Sequence, residues 1–546
     1  MSRTAKSVLW VTAAVAIAVA AGVAMTGGLF RGSEPTTSPS LALEPTPASG
    51  THTPSPTPTV SARDEALAAA QEMTDDEVIG QVIVAAVSAP DPAAAAALVE
   101  KYHLGGVILM RDAVTDADGV RELAAAVAGA GAGRPAPVLV AIDDEGGIVS
   151  RLRGVLPSMP AFMAAGALDD ADLTRATWSS RGTALRDLGI TVDFAPVADV
   201  TVGPSETTIR TRSASSRAPR ASRAVVAASL GLAQGRVVPV IKHFPGHGSA
   251  KDDSHNGVAK VSKALAELEG RDLVPFVDAI DAGAPAVMLG HLVVKEWGRL
   301  PATVNPAAYE YLRTEMGFEG VAVTDALNME GVTDVYPPGV VEAKALAAGA
   351  DVVLFPASVS EAVAGIRKAL AAGDLTRERL DEAAARVILL ARSTAGDGEA
   401  VDGEVVEGAA VAVEASATDY SATAAVVASK TCASLISGSV GIRGGTQDQR
   451  SHLTKSLRAA GVTVVAYAKA DTTVALLPLD RTGATADVVV ALGGPWALQK
   501  STARTYVAIW GNAPAQLDAL ATVLSQPGTA QGTWPVGLKV PYPECA

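Results

Sequence analysis

The sequence predicts an α/β protein, a (β/α)8 barrel followed by a smaller C-terminal α/β domain. Three observations carry this reading. Eight short apolar runs recur along the chain, as strands covered on both faces of a parallel sheet require. Helix-like stretches alternate with them, among them Asp172–Leu188, Pro219–Gln234 and Lys263–Ala282. Charged residues directly follow three of the runs, where the active site of such a barrel forms.

The runs are Val78–Ala86, Gly105–Met110, Val138–Asp143, Val192–Val200, Val237–Phe244, Ala286–Val294, Gly320–Leu327 and Asp351–Pro356. Thr376–Arg392 reads as the closing helix. An open doubly wound sheet is the alternative, but no G-x-G-x-x-G fingerprint follows the first run. The barrel is thus expected over 63–392 and a linker rich in Gly, Glu and Asp over 393–408. In the second domain, 409–546, strands are expected at Cys432–Ile436, Val462–Ala468, Asp487–Leu492 and Thr505–Trp510. Helices are expected there at Arg450–Ala460 and Ala513–Leu524.

The N-terminal part differs in kind. Arg3 and Lys6 precede an uncharged run from Val8 to Phe30, so 1–31 reads as an export signal or an uncleaved membrane anchor. Residues 32–62, mostly Pro, Ser and Thr, cannot bury a core and read as an extended stalk. A net charge of −14 argues against nucleic acid as a partner. Cys432 and Cys545 are the two cysteines, and a disulfide and two free thiols both remain open. The expected location is outside the cell, or on the outer face of a bacterial cytoplasmic membrane.

The third run ends in Asp143-Asp144-Glu145, the fifth in Lys242-His243, the seventh in Thr324-Asp325. Three strands ending alike imply a common site at the barrel mouth. The segment after the fifth run holds His243, His247 and His255, three of the seven histidines. Pro245 and Gly246 argue against a helix that would align His243 and His247 on a metal, so no metal and no cofactor is expected. Asp253, two residues before His255, can fix that imidazole's tautomer and tune it for acid/base work.

At this point a resemblance becomes specific. MTDDEVIGQV (73–82), IDDEGGIVSRL (142–152), DFAPVADV (193–200), KHFPGHG (242–248), DSH (253–255), PATVNP (301–306), VTDALNMEGV (323–332) and TYVAIWGNAPAQ (505–516) occur in order. Together they resemble glycoside hydrolase family 3, its β-N-acetylglucosaminidase branch in particular. The resemblance implies Asp325 as nucleophile, His255 as general acid/base and Asp253 as its supporting carboxylate. It implies Asp143, Arg151, Arg212, Lys242 and His243 as substrate-binding residues. Two features depart from the family pattern. Ile148 stands where the second signature often carries arginine, and Arg212 lies in RTRSAS, without the usual aromatic residue.

The implied activity is exported, retaining exo-hydrolysis of β-linked N-acetylglucosamine from cell-wall fragments or related glycans. Alternatives are a β-glucosidase or β-xylosidase of the same family, an N-acetylglucosaminide phosphorylase, and a non-catalytic sugar-binding protein on a stalk. The C-terminal domain is expected to act as a structural buttress.

Overall fold

A computed structural model describes residues 61–250, 252–254, 257–395, 417–478 and 483–545. The N-terminal segment 1–60 and most of the expected linker lie outside the described residues. Ser61 caps the first helix, Ala62–Gln71, by accepting from the amide of Asp64.

Eight parallel strands form the first sheet: β1 (Ile83–Val87), β2 (Gly106–Leu109), β3 (Leu139–Ile142) and β4 (Val192–Asp193), then β5 (Val238–Phe244), β6 (Ala286–Leu289), β7 (Val321–Thr324) and β8 (Val353–Leu354). Their order is 7-6-5-4-3-2-1-8. Register runs Ile83 to Val353, Ala141 to Val192 and Val240 to Ala286. A bridge between Val323 and Val352 joins β7 to the approach of β8, so the ends of the sheet meet. Nearly every strand residue is buried, which explains why these segments read as unbroken apolar runs. The closing helix, Arg377–Ala395, packs on the first one, and Arg377 donates to the carbonyls of Ala70 and Met73.

Several expected strands are shorter than their apolar runs. The run at Val78 opens as the helix Asp75–Gln81, started by a capping box between Thr74 and Glu77, and becomes a strand at Ile83. Only Val192 and Asp193 of the fourth run form regular strand; Phe194–Val200 stays buried and rejoins β5 through a single parallel bridge between Val197 and Lys242. The helix expected over Lys263–Ala282 is two, Leu265–Glu269 and Val274–Asp281, the second carrying Pro275 in its first turn.

The C-terminal sheet has five strands: β9 (Val426–Ser429), β10 (Val440–Gly444), β11 (Thr472–Leu477), β12 (Val488–Ala491) and β13 (Thr505–Ala508). Their order is 9-13-12-11-10, with β9 antiparallel to its neighbour and the rest parallel. Cys432–Ile436 and Val462–Ala468 are not strands; the first is a loop, and the second makes one bridge at Val464 before a 3-10 turn.

One face of this sheet packs directly on the barrel. Val426, Val489, Ala508 and Trp510 share a buried cluster with Met163, Ala164 and Ala167 of the barrel helix Met163–Leu168. Backbone bonds reinforce the contact: Ala161 donates to the Trp510 carbonyl at 2.8 Å and Thr533 to that of Ala167 at 2.9 Å.

Cys432 and Cys545 form a disulfide across 113 residues, tying the C-terminus to the loop after β9. A bridge closing so long a loop restricts the unfolded chain strongly. Replacing both cysteines by serine is expected to lower stability by about 2–4 kcal/mol. The guanidinium midpoint of the oxidised chain against the variant checks this, and equal midpoints would contradict it.

Candidate active site

The three strand ends singled out in the sequence meet at one place. Asp143 follows β3, Lys242 and His243 lie in β5, and Asp325 follows β7. With Arg151 and Arg212 they line a cavity of about 260 Å³. Six of the eight expected site residues therefore share one pocket. Asp253 is described but does not line it, whereas its neighbour Ser254 does. His255 lies outside the described residues.

Lys242 organises the floor. Its buried Nζ lies 2.9 Å from Asp143 Oδ1 and 2.5 Å from Glu145 Oε1. Burial alone would pull the ammonium down, but Asp143 and Glu145 outweigh it and hold the lysine charged. Glu145 in turn receives both arms of Arg212, Nε at 2.7 Å and Nη2 at 2.8 Å, in a planar two-bond pairing. Burial would raise the Glu145 carboxyl, yet Arg212 and Lys242 hold it far below the usual carboxylate range. Asp143 keeps part of its surface open to the cavity, and Arg151 lies 3.6 Å from it. This is a carboxylate oriented by cations and still able to accept hydroxyl groups.

Asp144 points the other way. Its carboxylate is fully buried against Arg181 at 2.5 Å and accepts from Ser150 Oγ at 2.6 Å. Alternation along the hairpin Asp144–Ser150 separates the two neighbours, with Asp143 serving the pocket and Asp144 holding the hairpin to the barrel. The hairpin turns at Gly146 and Gly147, both at positive φ. A Cβ on Gly147 would come within 2.7 Å of Ala161, so the turn needs glycine for both conformation and space.

His243 Nδ1 lies 2.7 Å from Asp199 Oδ2, and its Nε2 faces Arg212 Nη2 at 3.4 Å. Carboxylate and guanidinium on opposite sides place the proton on Nδ1. Asp199 also accepts the backbone amide of His247 at 2.5 Å, and His247 Nε2 bonds to Ser254 Oγ at 3.0 Å. The two histidines thus share a carboxylate. Among the described residues no group of three or more His, Cys, Asp or Glu side chains is arranged to hold a metal.

Asp325 accepts the amide of Ala326 at 2.8 Å. Burial would raise its carboxyl, but His291 and His243, together with that amide and Lys242, bring it below the ordinary range. His291 is a residue that sequence reasoning passed over. Its Nε2 lies 2.9 Å from the Ala326 carbonyl, which can only accept. Its Nδ1 lies 2.7 Å from Thr303 Oγ1, whose hydrogen goes to the carbonyls of Leu289 and Gly290. Both ring nitrogens therefore act as donors, which fits an imidazolium beside an ionised Asp325. Glu145 and Asp199 were also missed as site residues, although both stand in quoted motifs. Their partners lie at least 44 residues away in sequence, so no local spacing marked them.

Residues 74–390 match the model of the glycosyl hydrolase family 3 N terminal domain. The chain is similar to beta-hexosaminidase LpqI of Mycobacterium tuberculosis, 37% identical over 59% of this chain and 83% of that protein. It is also similar to the solved family 3 beta-N-acetylglucosaminidase of Paenibacillus sp. str. FPU-7, with a TM-score of 0.74 and 26% identity. That match covers 86% of this chain and 99% of the other. Beta-glucoside phosphorylase BglX superposes with a TM-score of 0.73 over 87% of this chain and 96% of its own, but at 18% identity it shares the fold alone.

Beneath the pocket, Asp193 carries a different charge state. Its Oδ1 accepts the amide of Asp144 at 2.9 Å, while its buried Oδ2 has no partner among the described residues. Burial, then the nearby Asp144, push its carboxyl well above the usual range, against the pull of that amide and of Lys242. The folded protein keeps a proton here that the unfolded chain releases above about pH 4. Stability from this group is therefore full at low pH and lost as pH rises. Asp193→Asn, which imitates the protonated acid, should match the wild type near pH 4 and exceed it at pH 8. Urea midpoints at the two pH values read this directly; a variant less stable than wild type at pH 8 would argue for an ionised Asp193.

Proposed function

Because the chain belongs to glycosyl hydrolase family 3, we propose that it is an exported, retaining exo-β-N-acetylglucosaminidase. It releases terminal β-linked N-acetylglucosamine from cell-wall fragments or related glycans. The observation that carries the reading is the ionised Asp325, placed at a strand end in the same pocket as the Lys242–Asp143 pair. The names of the relatives, a beta-hexosaminidase and a beta-N-acetylglucosaminidase, support the choice of sugar.

In this reading the terminal sugar enters with its hydroxyl groups on Asp143, Lys242, Arg151, Arg212 and His243. Asp325 attacks the anomeric carbon as the leaving oxygen takes a proton from His255, giving a covalent glycosyl-enzyme. His255 then deprotonates water, which displaces Asp325 and restores the β configuration. Asp253 orients the imidazole and stabilises its cation. A neutral imidazole as base adds no negative charge near Asp325 or the attacking oxygen. Water is the acceptor in this proposal, since free phosphate is scarce outside a cell.

Export is supported by the basic start and apolar run of the N-terminal segment and by the Cys432–Cys545 disulfide, a bond that persists in oxidising compartments. The Pro-, Ser- and Thr-rich residues ahead of Ser61 serve as the stalk between the segment 1–31, as signal or anchor, and the enzyme.

The test is cleavage of aryl N-acetylglucosaminide against aryl glucoside, with and without phosphate, and identification of the released sugar. N-acetylglucosamine is expected in both conditions; faster turnover of the glucoside, or a sugar phosphate as product, would overturn the substrate or the acceptor. Asp325→Asn should lower kcat by about four orders of magnitude with folding intact. His255→Gln should slow substrates with poor leaving groups most, because those require the proton. Equal losses across leaving groups would remove His255 from the acid role.

A further inference from the structure

The chain that follows β5 departs from the barrel and returns to it through a narrow stem. Ala250 and Val261 form an antiparallel bridge, and the Val261 amide donates to the Val293 carbonyl at 3.0 Å. Ala259 and Lys260 pair in parallel with Leu292 and Val293, which binds the returning side to the end of the neighbouring strand β6. The residues between the two sides of the stem, 251–260, include Asp253 and His255.

One buried carboxylate holds both sides of this stem. Asp272 is fully buried, and its Oδ1 accepts from Ser249 Oγ at 2.6 Å, on the outgoing side. Its Oδ2 lies 3.3 Å from Lys263 Nζ, on the returning side. Arg271 completes the clamp, donating through Nη1 to Asp272 Oδ1 at 2.7 Å and to Ser249 Oγ at 2.8 Å. Its Nη2 donates to the carbonyls of Val200 at 2.9 Å and Thr201 at 2.6 Å. Those carbonyls follow Asp199, the carboxylate shared by His243 and His247. The turn before Ser249 lies close against the clamp. A Cβ on Gly246, at a φ of 118°, would come within 2.9 Å of the Asp272 Cβ, and one on Gly248 within 2.2 Å of the Val200 carbonyl oxygen.

Ser249, Lys263, Arg271 and Asp272 are absent from the lining of the catalytic pocket, so the clamp acts through the segment it holds. A buried ion cluster adds little net stability over apolar packing of the same volume, and its best-attested use is to fix register. Register is what this segment needs. It carries the acid/base on a connection rather than on a strand, and a displacement of about 1 Å can cost a hundredfold in rate. We propose that Asp272 is a positioning residue for proton transfer, which by clamping Ser249 and Lys263 sets where Asp253 and His255 stand relative to Asp325. The proposal rests on the reading of His255 as acid/base given above.

The test compares kcat/KM on aryl β-N-acetylglucosaminides whose leaving phenols differ widely in acidity. Acidic phenols depart without help, whereas poor leaving groups need the proton. Asp272→Asn should lower kcat/KM on the poorest leaving group about tenfold more than on the most acidic one, a steepening in the same direction as that of His255→Gln. Lys263→Met removes one side of the clamp at a partly exposed residue and should steepen the dependence as well, while Lys263→Arg should restore it. Added to His255→Gln, Asp272→Asn should cause no further loss, because both substitutions remove one function. Where Asp272→Asn does not fold, the two Lys263 variants decide. Equal loss across leaving groups, no loss in either clamp variant, or additive losses in the double variant would overturn the proposal. A His255→Gln enzyme with the leaving-group dependence of the wild type would instead overturn the underlying reading.

Discussion

The structure is built around the problem of keeping Lys242 charged on the floor of the pocket at the barrel mouth. A lone ammonium buried this deeply would lose its proton, so carboxylates must be brought to it and held. Asp143 and Glu145 do this from the end of β3, and Arg212 prevents Glu145 from becoming an uncompensated anion in its turn. The chain of pairs fixes the relative positions of β3, β5 and the segment before the helix Ala218–Gln234. The hairpin after β3 must then fold back tightly, and Asp144, Arg181 and the two glycines at its turn secure it. Asp193, in the neutral form, keeps this crowd of carboxylates from carrying one negative charge too many.

The barrel was legible because burial on both faces of a parallel sheet leaves long apolar runs that survive in the sequence. Its boundaries were less so. VIGQVIV can be a buried helix or a buried strand by composition, and only the capping box at Thr74 and Glu77 distinguishes the two. In the C-terminal domain, Cys432–Ile436 has the composition of a strand but is committed to the disulfide loop, while TTVALL at Thr472 fills the sheet position. The strand-end residues were readable because each follows its own apolar run. Glu145, Asp199 and His291 were not, since what makes them site residues is a partner from another strand.

The same distinction explains the role of the C-terminal sheet. Its topology alone implies no function. Function enters through placement. The buried cluster around the helix Met163–Leu168 fixes the sheet on the segment that follows the mouth hairpin.

Asp199 carries this logic to the remaining part of the site. It accepts from His243, which faces the pocket, and from the backbone of His247, whose ring reaches Ser254. From the other side, Gly331 leaves room for the Ser254 carbonyl, which a Cβ there would meet at 2.4 Å. Gly331 lies in the helix Glu330–Thr333, a few residues after Asp325. Ser254 is thus held between the segment that follows β5 and the segment that follows Asp325. Double displacement requires its two catalytic groups on opposite sides of one bond at a fixed separation. A chain that places Ser254 by contacts to the segment after β5 and to the segment after Asp325 fixes the point from which Asp253 extends.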